Sequence, residues 1–404
     1  MSTKQKTLKA FLATARAALT GPPSKRPVPL HFVVGNESAD LDSLCSALFL
    51  AYFWSHTPPH TLHVPLCHLP REDLALRPEF SEALRRAAVT PDDVLTLSEL
   101  FKADGLKAED TRWLLVDHNV LTGELEKYGK QVVGCVDHHD DEGKVPEDAE
   151  PRVIQKTGSC MSLVVEECRG TWNSLAEEGK EEALQINAQL AYLALASILI
   201  DTANLGNKNK TTTHDEQAVE LAESRVSADT SAGEDTYDRK KFYDGLSALK
   251  EDVSGMSFRD IFRKDYKEWD EGSLKLGTSS VPQSFAYLVR KAGDEAAFVR
   301  ELGKWGEEKG LDLVAILTTS KESGEFKREL LVWARTGPEV VKAAKKFSES
   351  DGRDKLGLGT WADGKLDLED GKKEWRKCWT QERIENSRKQ IAPMLRDALK
   401  GVNA

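Results

Sequence analysis

Between residues 30 and 137 the chain alternates short apolar runs with longer runs whose apolar residues recur at helical spacing, and few folds accept that rhythm. "LHFVVGN", "LHVPLCHLP", "RWLLVDHN" and "QVVGCVDHH" read as strands, with "SLCSALFLAYFW" and "EFSEALRRAA" as helices between them. Strands that alternate with helices pair in parallel. Such strands are covered on both faces and so read as near-continuous apolar runs. The expected class is therefore α/β: an N-terminal parallel-sheet domain with helices on both faces, followed by a smaller mixed α/β domain.

The rest of the chain fits around that sheet. Residues 1–28 combine an amphipathic helix, "LKAFLATARAAL", with the proline-rich lead-in "GPPSKRPVP". After the fourth strand come the helices "SCMSLVVEECRGTW" and "EEALQINAQLAYLALASILIDTANL", the second too long for a strand and ending near Asp201. Apolar residues then thin out in "ESRVSADTSAGEDTYD", which marks 223–238 as a linker. The expected domains are 29–222 and 239–404. In the second, "KLGTSSVPQSFAYLV", "LDLVAILTTS" and "RELLVWAR" read as strands, 294–307 and 338–348 as helices, and "TQERIENSRKQIAPMLRDALKG" as a closing helix.

Charge and cysteine usage narrow the function classes. The 404 residues carry 56 basic and 67 acidic side chains, a net −11, which argues against broad nucleic-acid binding because that needs a basic face. No segment reaches about 18 consecutive apolar residues, and "MSTKQKTLKA" lacks a signal-peptide core, so no membrane partner and a cytoplasmic location are expected. The six cysteines show no CxxC spacing and read as reduced buried thiols. All nine histidines fall between His31 and His214, which places any histidine chemistry in the first half.

The strand ends carry the chemistry. Asp40 and Asp42 follow the first strand, Asp117 and His118 the third, and Asp137, His138 and His139 the fourth, while Asp201 closes an apolar helix. A single Asp after a strand is ordinarily an N-cap, and Asp42 before "SLCSALF" would cap well. Four such segments on neighbouring elements, however, crowd like charges that need a counter-ion. Carboxylates with imidazole and no cysteine suit magnesium, manganese or cobalt-like ions. Five or more ligands suggest two divalent cations about 3.5–4 Å apart, sharing a carboxylate and lowering the pKa of a water between them. Metal-assisted hydrolysis of a phosphoester or phosphoanhydride follows.

The series "GNESADLDS", "VDHN", "VDHHDDE" and "LIDTAN", in this order, resembles the four motifs of the DHH phosphoesterase superfamily, and "LGTSSV", "FKRELL" and "SRKQIAP" resemble its DHHA2 domain. Within that group "GNESADLDS", "PREDLALR" and "ILIDTAN" are most similar to fungal cytosolic exopolyphosphatases, with prune proteins and family II inorganic pyrophosphatases as cousins. The resemblance implies Asp40, Asp42, Asp117, His138 and Asp201 as metal ligands, with Asp117 as the bridge. It implies His139 beside the substrate phosphate and Asp137 orienting the histidines from behind. Arg388 and Lys389 would grip phosphate, with Arg328 and His118 as further substrate contacts. Taken alone, an adjacent Arg and Lys on a helix is a solvated face, and a strand-end histidine a hydrogen-bonding filler.

Two departures steer the reading. Asn36 stands where the pyrophosphatases have histidine, so it either holds a metal weakly or binds phosphate. Ser279 and Ser280 stand where they carry lysines. Both favour a longer anion than pyrophosphate. The implied activity is that of an exopolyphosphatase: a monomer that releases terminal orthophosphate from linear polyphosphate by in-line attack of a metal-activated water, its domains closing about the linker. The alternatives are a prune-like or pyrophosphatase-like hydrolase of short phosphoanhydrides or nucleotides, and a noncatalytic scaffold. A scaffold would be marked by loss of a metal-site acid, and every acid is present.

Overall fold

The computed structural model describes residues 5–177, 181–229, 237–322, 325–369 and 373–401. The chain divides into two compact units at Lys250/Glu251. In the first, β1 (Leu30–Val34), β2 (His63–Leu66), β3 (Thr111–Val116), β4 (Val132–Asp137) and β5 (Arg152–Ile154) form a parallel sheet in the order β2-β1-β3-β4-β5. The chain leaves β1 toward β2 on one side and returns to β3 on the other. That reversal opens a crevice at the carboxyl ends of β1 and β3, where ligands of open α/β sheets bind.

Helices cover both faces: α1 (Leu8–Thr20), α2 (Leu41–His56), α3 (Pro78–Arg86), α4 (Leu97–Leu100), α5 (Cys160–Ala176), α6 (Glu181–Asp201), α7 (Thr213–Ala228) and α8 (Arg239–Glu251). Alternate strand residues divide between two cores, as the period of two requires. Val33, Leu114, Val116 and Val136 pack with α2, α5 and α6. Phe32, Val34, Trp113, Leu115 and Cys135 pack on the other face with Ala15 and Leu19 of α1. By length and composition α6 could cross a membrane, but its apolar 18-residue window is 78% buried inside this unit. All six cysteines are buried and free.

The expected domain boundary shifts. Residues 223–228 continue α7 rather than starting a linker, and 230–236 lie outside the described residues. Residues 239–250, expected in the second domain, form α8, whose Phe242 and Leu246 are buried in the first unit's core and tie it there. The three-residue β5 carries no apolar run to betray it.

The second unit contains α9 (Phe258–Lys264), β6 (Tyr266–Glu271), β7 (Leu274–Val281), α10 (Phe285–Ala292), α11 (Glu295–Glu308), β8 (Leu313–Glu322), β9 (Glu325–Ala334), α12 (Pro338–Phe347), β10 (Leu358–Thr360), β11 (Leu368–Glu369), β12 (Trp375–Gln381) and α13 (Arg388–Lys400). Its mixed sheet runs β10-β12-β9-β8-β7-β6, with β11 on β12 and, among the described residues, only β7 and β8 parallel. Helices α12 and α13 pack on one face, α9, α10 and α11 on the other. Two runs read as single elements are split here. "KLGTSSVPQSFAYLV" stops being strand at Val281, because Pro282 lacks the N–H a ladder needs and Ser284 caps α10. The closing helix begins only at Arg388, where Ser387 and Gln390 form a capping box, and Thr380 and Gln381 belong to β12.

Candidate metal centre and active site

The centre assembles where β1, β3 and β4 end. Asp117 follows β3 in the left-handed region, at φ 62°, and is 2% exposed. Its Oδ2 accepts from Ser43 Oγ at 2.7 Å and Asn36 Nδ2 at 2.9 Å, and its Oδ1 faces His138 Nε2 at 3.2 Å. Ser43 can reach it because Gly35 lets the first turn of α2 approach β1: a Cβ at Gly35 would meet Ser43 Cβ at 2.4 Å.

Asp40 caps α2, its Oδ1 accepting from Ser43 N at 3.1 Å. Asp42, in the first turn of α2, lies at the N-terminus of α5. It accepts from Cys160 N at 2.7 Å, Met161 N at 3.0 Å, Ser159 Oγ at 2.9 Å and Ser197 Oγ at 2.6 Å. Helix-terminal N–H groups and hydroxyls thus fix this carboxylate inside the fold. Asp201 ends α6 beside it. Burial, and the hydrogen bond and charge of Asp42, push the Asp201 carboxyl up to about 6, although Lys210 opposes the shift.

The two histidines of "VDHHDDE" are held differently. His138 donates Nδ1–H to the Thr157 carbonyl at 3.1 Å, which leaves Nε2 facing Asp117. Burial pulls its pKa down, but the Asp117 hydrogen bond and the charges of Asp42, Asp117 and Asp201 outweigh that and carry it to about 9. His139 donates Nδ1–H to Asp137 Oδ1 at 2.7 Å, so its Nε2 points away from that partner, and its side chain is 29% exposed. Asp137 also accepts from the backbone N–H groups of both histidines and from Asn119 Nδ2 at 2.6 Å. Burial pushes Asp137 up, yet the His139 hydrogen bond and charge, with Asn119, hold it down to about 2.

Asp117 Oδ1, His138 Nε2 and His139 Nδ1 lie close enough to share a cation. His139 Nδ1 is engaged by Asp137, however, so within this trio Asp117 and the His138 imidazole are the residues that could hold a divalent cation. Asn36 is committed elsewhere. Its Oδ1 accepts from Ser38 N at 2.9 Å, which fixes the amide orientation and turns Nδ2 onto Asp117. His118 donates to the Val116 carbonyl at 2.9 Å, and its buried Nε2 has no hydrogen-bond partner among the described residues.

In the second unit the expected cations differ from one another. Arg388 donates to the Asp265 carbonyl at 2.9 Å and its Oδ1 at 2.7 Å. Lys389 is exposed. Arg328 is half-buried, with Nε on the Ile384 carbonyl at 2.7 Å and no carboxylate paired with it among the described residues, and burial alone lowers its pKa. Ser279 is buried while Ser280 is partly exposed, since neighbours on β7 face opposite ways.

A family model described as "DHH family, N-terminal domain" matches residues 31–198, and one described as "DHHA2 domain" matches 244–398. A Schizosaccharomyces pombe protein named "Putative exopolyphosphatase" is 33% identical over 374 residues, 92% of this chain and 91% of that one. The chain belongs to the DHH family. It falls in the branch that carries a DHHA2 domain. Further DHH relatives include rat "Exopolyphosphatase PRUNE1", 28% identical over 72% of this chain but 60% of that protein. An Archaeoglobus fulgidus "Probable manganese-dependent inorganic pyrophosphatase" is 27% identical over 82% of this chain and 92% of that one. The crystal structure of a Methanococcus jannaschii "putative family II inorganic pyrophosphatase" shares the fold at TM-score 0.57 and 21% identity, covering 92% of this chain and all of that one.

Sequence reasoning did not single out Ser43, Asn119 and Ser197, donors that hold the DHH acids, and it read "TGSCMS" (157–162) as a phosphate cradle or a simple N-cap, whereas Ser159 Oγ and the Cys160 and Met161 N–H groups donate to Asp42. Nor did it assign Asp215 or place Lys210 at the site. For Asp215 the Thr-x-x-Asp spacing of a helix cap was the available signal.

Proposed function

We propose that this chain hydrolyses phosphoanhydrides with divalent cations and releases terminal orthophosphate from linear polyphosphate. The observation that carries the reading is His138 Nε2 set 3.2 Å from Asp117 Oδ1 and within the field of Asp42 and Asp201, with Asp40 capping the helix that carries Asp42. Two divalent cations held by these residues would supply Lewis acidity, neutralising phosphoryl oxygens and acidifying water. The family resemblance and the names of the relatives support that chemistry.

The protein's own groups do the rest. Asp117 and Asp42 are fixed by the hydroxyls of Ser43, Ser159 and Ser197, so the ligand field exists before binding. His139, locked by Asp137 at 2.7 Å, presents Nε2 where a proton can pass to or from a phosphate oxygen. Arg328, a half-buried guanidinium with no paired carboxylate among the described residues, supplies a fork for phosphate, whereas Arg388 must share its charge with Asp265. Replacing Arg328 with Ala is expected to raise KM for polyphosphate about tenfold, with kcat within about twofold. An unchanged KM removes Arg328 from the substrate contacts.

Preference for a chain longer than pyrophosphate rests on Asn36 and on Ser279–Ser280. The test is phosphate release from polyphosphates of graded length, pyrophosphate and a cyclic nucleotide, each with magnesium, manganese or cobalt. Release should rise with chain length and cease with excess chelator. A preference for pyrophosphate overturns the assignment, and activity that survives chelation removes the metals.

A further inference from the structure

The loop after α6 brings a lysine back into the acid cluster. Ala203, Asn204 and Leu205 adopt left-handed φ values of 51°, 58° and 61° in succession, a run that L-residues avoid. Backbone hydrogen bonds hold the turn closed, with Asn204 N on the Leu199 carbonyl at 2.8 Å and Asn207 N on Thr202 at 3.0 Å. Lys210 N and Thr211 N both donate to the Asn207 carbonyl, at 3.0 and 2.8 Å. The result places Lys210 Nζ 3.8 Å from Asp201 Oδ2, with the lysine side chain 38% exposed.

Read from the sequence, "NKNK" (207–210), after Asp201, is an exposed loop or a cationic lip, with the loop favoured. In the fold, the Lys210 ammonium sits in the combined field of Asp201, Asp42, Asp40 and Asp117, and their attraction raises its pKa despite burial. Lys250 acts on Asp201 more weakly. We infer that Lys210 is a tethered counter-cation of the carboxylate cluster, which divalent cations must displace on loading. The inference rests on the cluster being a cation site, as proposed above. Crowded carboxylates are costly without a cation, and an ammonium on a flexible stem neutralises them reversibly. A dication cannot share that space with it. The partial exposure of Lys210 gives the displaced ammonium a way out, and the strained turn keeps it within reach for return.

The experiment is calorimetric titration of the chelator-treated full chain with Mn2+, with melting of the metal-free form, for the parent, Lys210→Met, Lys210→Arg and Lys208→Met. Removing the competing charge should tighten Mn2+ binding about three- to tenfold and lower the metal-free melting temperature. Lys210→Arg should remain near the parent. Lys208→Met, which removes the same charge from the same loop, should change neither value. Unchanged or weaker Mn2+ binding by Lys210→Met overturns the inference, as does equal tightening by Lys208→Met. If the parent itself takes up no Mn2+, the metal reading falls and the inference with it, whereas normal uptake with an unresponsive Lys210→Met removes the inference alone.

Discussion

Asp117→Asn should lower kcat/KM for polyphosphate by about three orders of magnitude while leaving the protein folded. Asparagine is the informative replacement because residue 117 stands at φ 62°, a region that asparagine tolerates and alanine does not. Its carbonyl oxygen can still accept from Ser43 and Asn36, now 2.7 and 2.9 Å from Oδ2, and its amide can donate to a neutral His138. Volume, backbone and local donors are thus retained, and the change is the loss of one negative charge from the cluster. Melting within about 3 °C of the parent, with weakened Mn2+ binding and almost no phosphate release, is the expected pattern. Activity within tenfold of the parent, on a protein that melts normally, would falsify the role given to Asp117.

Why Asp117 could be found in the sequence, and Lys210 could not, is a matter of range. Strands β1, β3 and β4 are central and buried on both faces, so their apolar runs stop where the sheet stops, and an acid at that point must lie at its carboxyl edge. Asp40, Asp42, Asp117, Asp137 and the DHH histidines are legible for this reason. Helix α6 is legible by length, and Asp201 by ending it. Side chains that reach back across loops leave no such trace: Lys210 meets Asp201 only because Ala203, Asn204 and Leu205 turn left-handed. Arg388 looks like a free cation until β6 brings Asp265 under it. The domain boundary misleads for a related reason. A drop in apolar content marks 223–238, yet Phe242 and Leu246 beyond it reach back into the first core. Asn36 reads as a weak metal ligand or a phosphate contact, but its donor to Asp117 depends on Ser38 taking the other end of its amide.

The second large effect concerns a residue with no ligand role. Asp215 is fully buried and accepts six hydrogen bonds. Thr157 Oγ1, Ser159 N and Ser162 Oγ donate to its Oδ1 at 3.1, 3.0 and 2.6 Å, while Gly158 N, Thr212 N and Thr212 Oγ1 donate to Oδ2 at 2.9, 2.7 and 2.9 Å. The carboxylate thereby clamps the 157–159 loop to the start of α7. The contact is so close that a Cβ on Gly158 would fall 2.7 Å from Oδ2. Asp215→Ala strands these donors in the interior and should cost about 3–5 kcal/mol, or roughly 8–15 °C in melting temperature. Asp215→Asn should be nearly as harmful, because the amide places a donor against three others. Burial raises the carboxyl's pKa, but the donors, Ser162 and Thr212 foremost, hold it below the ordinary range. Its stabilising share is therefore complete above about pH 4 and is lost as pH falls through the depressed folded value. The clamp also reaches the metal centre: the Thr157 carbonyl orients His138, and the next turn, at Cys160 and Met161, holds Asp42. Mn2+ binding should accordingly weaken in whatever fraction of Asp215→Asn remains folded. Melting within about 2 °C of the parent for both variants would show that the clamp is dispensable, and that His138 is oriented by something else.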